Sequence, residues 1–90
     1  ADDVTVAELA EQFIAHIRRE YAASPAVIEK AQLSVRPLLE AYATLPCCEF
    51  GALQLRAVRE GMINAGLCIA TINGRIAMLK RCFRYGVEME

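Results

Sequence analysis

Between Ile69 and Val87, six apolar residues (Ile69, Ile72, Ile76, Leu79, Phe83 and Val87) recur three or four positions apart. At about 100° per residue they fall within a band about 80° wide on a helix. A half-buried strand would alternate and a loop would show no period, so this stretch reads as a helix with one side to bury. Such a helix needs partners, and the preceding residues supply them in the same period. Thr5 followed by Glu8 is a capping-box pattern, and Val6, Leu9, Phe13, Ile14, Ile17 and Tyr21 follow at helical spacing. A first helix is therefore expected from about Val6 to Tyr21.

Ser24 before Pro25 places an N-cap ahead of a proline in the first helical position, where its missing N–H costs nothing. Ile28, Ala31, Val35, Leu38, Leu39 and Tyr42 form the next stripe. A second helix is expected over Pro25 to Ala43, with Pro37 on its outer face kinking or breaking it near Arg36. Leu45 to Gly51 reads as the longest connection, with Phe50 anchoring it in the core. Leu55, Val58 and Met62 mark a third helix, softened at Gly61 and closed by Gly66. Leu67 and Cys68 lead into the fourth. No alternating stretch, internal repeat or low-complexity tract competes, so the reading is all-α: one domain over residues 1–90, a compact bundle of four helices.

Composition sets the class. Over half the residues are hydrophobic and 23% are charged, which is globular rather than disordered. No apolar run approaches the roughly 20 residues of a membrane span, so no membrane partner is expected. Ala1-Asp2-Asp3 has no initiator Met and no basic-then-apolar leader, which points to a piece of a longer gene product. Cys47, Cys48, Cys68 and Cys82 include no Cys-x-x-Cys pair, and His16 sits on another segment. They read as reduced thiols in a cytoplasmic protein, with no metal and no cofactor expected.

The net charge of −1 hides an asymmetry. Residues 1–49 carry eight carboxylates against four cations, whereas residues 50–87 carry Arg56, Arg59, Arg75, Lys80, Arg81 and Arg84 against Glu60 alone. A basic half beside an acidic half suits a surface that meets a polyanion, the plainer alternative being a solvated charged face. The last helix has the residue types for a nucleic-acid groove: cations for phosphates, Asn73 for adenine edges, and Gly74 and Ala77 for close backbone approach. Thr71 and Asn73 stand in its first turn, where free N–H groups favour a phosphate, or are ordinary first-turn polar residues. Arg56 and Arg59, three apart, extend the basic surface to the third helix. Met78, Cys82 and Tyr85 point away from the apolar band and are expected to form an interface with another domain or protomer, the alternative being that the chain folds back to cover them.

Catalysis finds no support. Tyr21 and Tyr42 fall on core stripes, and His16, with Glu20 one turn on, reads as a surface histidine. There is no phosphate loop, carboxylate pair or nucleophile elbow, so no catalytic residue is assigned and the chain as given is not read as an enzyme.

Thr5-Val6-x-x-Leu9-x-x-x-Phe13, then Phe50-Gly51-x-Leu53-x-Leu55-x-Ala57-Val58-Arg59, then Gly66-Leu67-Cys68-x-x-Thr71-Ile72-Asn73-x-x-Ile76-x-x-Leu79-Lys80-x-x-Phe83 together resemble the SAM-like core-binding domain of phage integrases, which are tyrosine recombinases. The resemblance spans nearly the whole chain. It implies a helical half-clamp that grips duplex DNA for site-specific recombination and integration. Opposite it would stand a C-terminal catalytic domain of the same chain, beyond Glu90, that cuts through a tyrosine and a 3′-phosphotyrosyl link. Other protomers would share the DNA. The family binds through its second and fourth helices, which puts Lys30, Thr71, Asn73 and Arg75 nearest the duplex. Ile69-Ala70 depart from the arginine or other polar residue frequent there, and so weaken the grip of that turn. Two other functions fit the helices: a protein-interaction module using Met78, Cys82 and Tyr85, and a stand-alone helix-turn-helix regulator turning at Gly66-Leu67-Cys68.

Overall fold

A helix leaves its first N–H groups without internal partners, and at the start of the first helix each one is accounted for. In the computed structural model, which describes residues 4–88, helix α1 (Val6–Glu20) starts from Thr5. The Glu8 amide donates to the Thr5 hydroxyl at 3.2 Å, and the Thr5 amide donates to the Glu8 carboxylate at 3.3 Å, completing the expected capping box. The amides of Val6 and Ala7 donate to the carbonyls of Leu45 and Ala43 at 2.9 and 3.0 Å. The start of α1 is thereby fastened to the far end of α2 (Pro25–Tyr42).

The remaining elements are a 3-10 turn at Cys47–Glu49, helix α3 (Ala52–Asn64) and helix α4 (Ile69–Glu88). Four helices in the expected order make an all-α bundle, and no strand is found among the described residues. Residues 1–3, where the leader was sought, lie outside the described segment. The principal extents are 37 × 34 × 18 Å, so the thin direction is close to two helix diameters, roughly 10 Å each.

Local chemistry sets most boundaries. The Gly66 φ of 84° is a left-handed conformation, and the Leu67 and Gly66 amides reach back to the carbonyls of Met62 and Ile63 at 3.3 and 3.0 Å. That is a Schellman stop, for which glycine has no steric penalty. Ser24 takes the N-cap position of α2, but its hydroxyl makes no capping bond. Helix α2 runs through Pro37 to Tyr42 as one helix, so of the expected kink or break near Arg36 the break is absent. It is packed against both α1 and α4, and burial of Ala31, Val35 and Leu38 on either side of the missing donor holds it together. Ser34 is fully buried within the same face, its hydroxyl donating to the Lys30 carbonyl at 2.7 Å.

The core joins Val6, Leu9, Ala10, Phe13 and Ile17 of α1 with the α2 residues just named, Val58 and Met62 of α3, and Ile72, Met78, Leu79 and Cys82 of α4. Phe50 anchors the loop, its ring stacked on Phe83 at 4.6 Å and edge-on to Tyr42 at 5.6 Å. Helix α4 corrects one expectation. Met78 and Cys82 are buried, and Tyr85 is half-buried against Phe13 and His16, with ring centroids 5.8 and 4.6 Å away. Ile69 and Val87, assigned to the core band, are 62% and 72% exposed. Because α4 packs against α1, α2 and α3, its buried arc is wider than the apolar stripe and rotated from it. Of the expected interface residues Met78, Cys82 and Tyr85, only Tyr85 keeps part of its surface outside the core.

Helix α4 also approaches α1 closely. A Cβ at Gly86 would stand 2.8 Å from Cδ1 of the buried Leu9, whereas one at Gly61 would meet nothing within 4 Å. Gly86→Ala should destabilise the domain by about 1–3 kcal/mol through overpacking. Gly61→Ala should stabilise it by up to about 1 kcal/mol through helix propensity. Urea melts of the two variants check the contrast, and equal shifts would refute the close packing of Leu9 on Gly86.

Candidate nucleic-acid interface

Around α4, Asn73, Ala77, Lys80 and Arg84 are all exposed. At about 100° per residue they lie within about 60° of one another. They form one outward stripe about 16 Å long, at 1.5 Å per residue. Between Ile69 and Val87 the helix has four cations and no carboxylate. Its outer face is therefore a row of positive charge with no carboxylate of its own helix before residue 88 and one amide at its N-terminal end.

One flank of this stripe is built by the other helices. Gly74 faces α2, and the Lys30 ammonium lies 3.0 Å from where a Cβ on Gly74 would stand. Glycine thus lets the Lys30 head settle against the α4 backbone, one residue from Asn73. About two turns further along the same flank, Arg81 donates to the Tyr21 hydroxyl, and its guanidinium carbon is 5.1 Å from the Tyr21 ring centroid. Tyr21, just past the end of α1, orients a cation that would otherwise sweep freely. Sequence reasoning placed Tyr21 in the core and missed this role; its position in a turn after α1, where a side chain is only half-buried, is the signal that was available.

The structure does not bring all the expected residues together. Lys30, Asn73, Lys80, Arg81 and Arg84 share the outward side of α4. Thr71 and Arg75 are half-buried and lie about 150–170° around the helix from the centre of the stripe. Arg75 instead lines a groove between α2 and α3. Arg56 and Arg59 are exposed on α3 and do not line that groove.

Thr71 has a local partner, with its hydroxyl 3.2 Å from the Cys68 thiol. Cys68 occupies the N-cap position of α4, its carbonyl accepting from the Ile72 amide at 3.0 Å. Hydrogen bonds from the Thr71 side chain, then from the Thr71 backbone, lower the thiol pKa from its ordinary value. Cys82 is the opposite case. Burial first, and then the charge of nearby Cys47, push it up to about 12. At neutral pH iodoacetamide should alkylate Cys68 well before Cys82 in the folded protein, since only the thiolate reacts. Peptide mass spectrometry over a time course reads the order, and early labelling of Cys82 would contradict its burial.

His16, expected as a surface histidine, is half-buried with its ring 4.6 Å from that of Tyr85. Among the described residues no three of His, Cys, Asp or Glu are grouped so as to hold a metal ion, and no helix is long and apolar enough to cross a membrane. Comparison with family models, with curated proteins and with solved structures returned no match.

Proposed function

We propose that this domain binds duplex DNA through the outward face of α4, as the core-binding half of a tyrosine recombinase. The observation that carries the reading is the stripe of Asn73, Lys80 and Arg84, with Lys30 seated across Gly74 beside it and no carboxylate on that helix before residue 88. Cations in a row neutralise phosphates, and an amide at the end of the row can pair with the N6 and N7 edge of adenine. The small Ala77 between them lets the helix approach a groove wall. In this reading Arg81, held by Tyr21, is a fixed phosphate contact, and Arg56 and Arg59 reach the flanking backbone. A catalytic domain further along the same polypeptide would supply the tyrosine nucleophile, and neighbouring protomers would complete the assembly. Exposed thiols at Cys48 and Cys68 suit the reducing cytoplasm.

Fluorescence anisotropy of a labelled random duplex, titrated at several salt concentrations, tests the proposal. Dissociation constants on the order of 10⁻⁴ to 10⁻⁶ M that weaken steeply with salt are expected, because released counterions drive the binding. Lack of binding at low salt would refute it. Strong preference of the isolated domain for one sequence would favour a stand-alone regulator.

A further inference from the structure

Helices α2 and α3 each pack on α4 but leave a groove of about 460 Å³ between them. One wall is Ala57, Gly61 and Ala65, three small residues four apart on α3; the other is Pro37, Glu40 and Ala41 of α2. Val58, Met62 and Leu67 contribute apolar surface, and Arg75 comes from α4. The volume falls in the usual range for small-molecule sites, roughly 300–1,000 Å³. The α3 wall is only about 12 Å long at 1.5 Å per residue, too short to seat a partner helix of ordinary length.

The charges in this groove are unequal. Glu40 is exposed, whereas Arg75 is half-buried and has no hydrogen-bonding or ion-pairing partner among the described residues. A guanidinium drawn partly out of water with no acceptor is costly unless an anion meets it, and its planar fork matches a carboxylate. A polyanion is disfavoured because Glu40 would repel it, while a single carboxylate needs only the one cation.

We propose that this groove binds a small apolar monocarboxylate, with the carboxylate on Arg75 and the hydrocarbon body along Ala57, Gly61 and Ala65. The site lies on the opposite side of α4 from the DNA stripe, so the two stand or fall separately.

Titration of the ¹⁵N-labelled domain with octanoate, octanol and octylamine tests it by chemical shift. Octanoate should give saturable shifts confined to the amides around Gly61, Ala65 and Arg75, with octanol and octylamine at least about tenfold weaker. Arg75→Gln should reduce octanoate affinity about tenfold without altering octanol binding or DNA binding. Gly61→Leu, which has open space for its side chain, should abolish binding while the fold persists. Non-saturating or scattered shifts, equal affinity in Arg75→Gln, or undiminished binding in Gly61→Leu would each overturn the proposal.

Discussion

Phe13→Ala should lower the unfolding free energy by about 3–5 kcal/mol, the range found when a buried phenyl ring is replaced by a methyl group. The ring is 1% exposed and lies where α1 meets α4, with Tyr85 against it. Its removal costs the transfer free energy of the ring and leaves a space that neighbouring helices cannot fill without moving. It also withdraws one side of the packing around Tyr85, which would then rest on His16 alone among aromatic neighbours. Since domains of this size are stable by about 5–15 kcal/mol, the variant should be near its folding threshold at physiological temperature. Leu53→Ala is the control. At 74% exposed, it should change stability by no more than about 0.5 kcal/mol. Urea denaturation followed by circular dichroism measures both, and similar midpoints would mean the core is not centred on Phe13.

Lys80→Ala combined with Arg84→Ala should reduce DNA affinity at low salt by about tenfold or more and flatten the salt dependence. Each lost phosphate contact should remove about 0.9 from the magnitude of the slope of log K against log salt, so the double variant should lose about 2. Both side chains are exposed and have no packing role, so the thermal midpoint should not move. Arg75→Ala should leave the slope as it was, because that residue faces the α2–α3 groove. An unchanged slope in the double variant, or a large loss in Arg75→Ala, would place the DNA on another face.

What was legible in the sequence was local. The Thr5–Glu8 capping box, the Gly66 stop and the anchoring of Phe50 each depend on a few neighbouring residues or on one unmistakable ring. The helix count follows from hydrophobic period. What period does not give is which arc of a helix meets its partners. Ile69 and Val87 match the stripe but are exposed near the two ends of α4, while Met78 and Cys82 fall off the stripe and are buried where α4 packs on the other helices. The same geometry exposes Leu39 and buries Ser34, whose hydroxyl is satisfied by its own helix and so tolerates the core. For the candidate site, charge count singled out the helix that carries the outward stripe, and the resemblance pointed to Lys30, which lies beside it. Composition treated Arg75 as equivalent to Lys80, because the sequence shows no direction in which either side chain points. The pairing of Arg81 with Tyr21 spans 60 positions and had no local signature.

Helix α3 buries only Val58 and Met62 and packs mainly on α4, whereas α1, α2 and α4 each pack on one another. Native proteins open in cooperative pieces whose free energies follow the apolar area each piece buries. Helix α3 should accordingly be the first part of this domain to open, with the three others remaining as a closed unit fastened at Val6 and Ala7 to the Leu45 and Ala43 carbonyls. Amide hydrogens in the middle of α3 would then exchange with solvent orders of magnitude faster than those of Phe13 or Leu79. This places the domain's breathing motion in the helix that carries Arg56 and Arg59, and leaves the charged stripe of α4 on the rigid part.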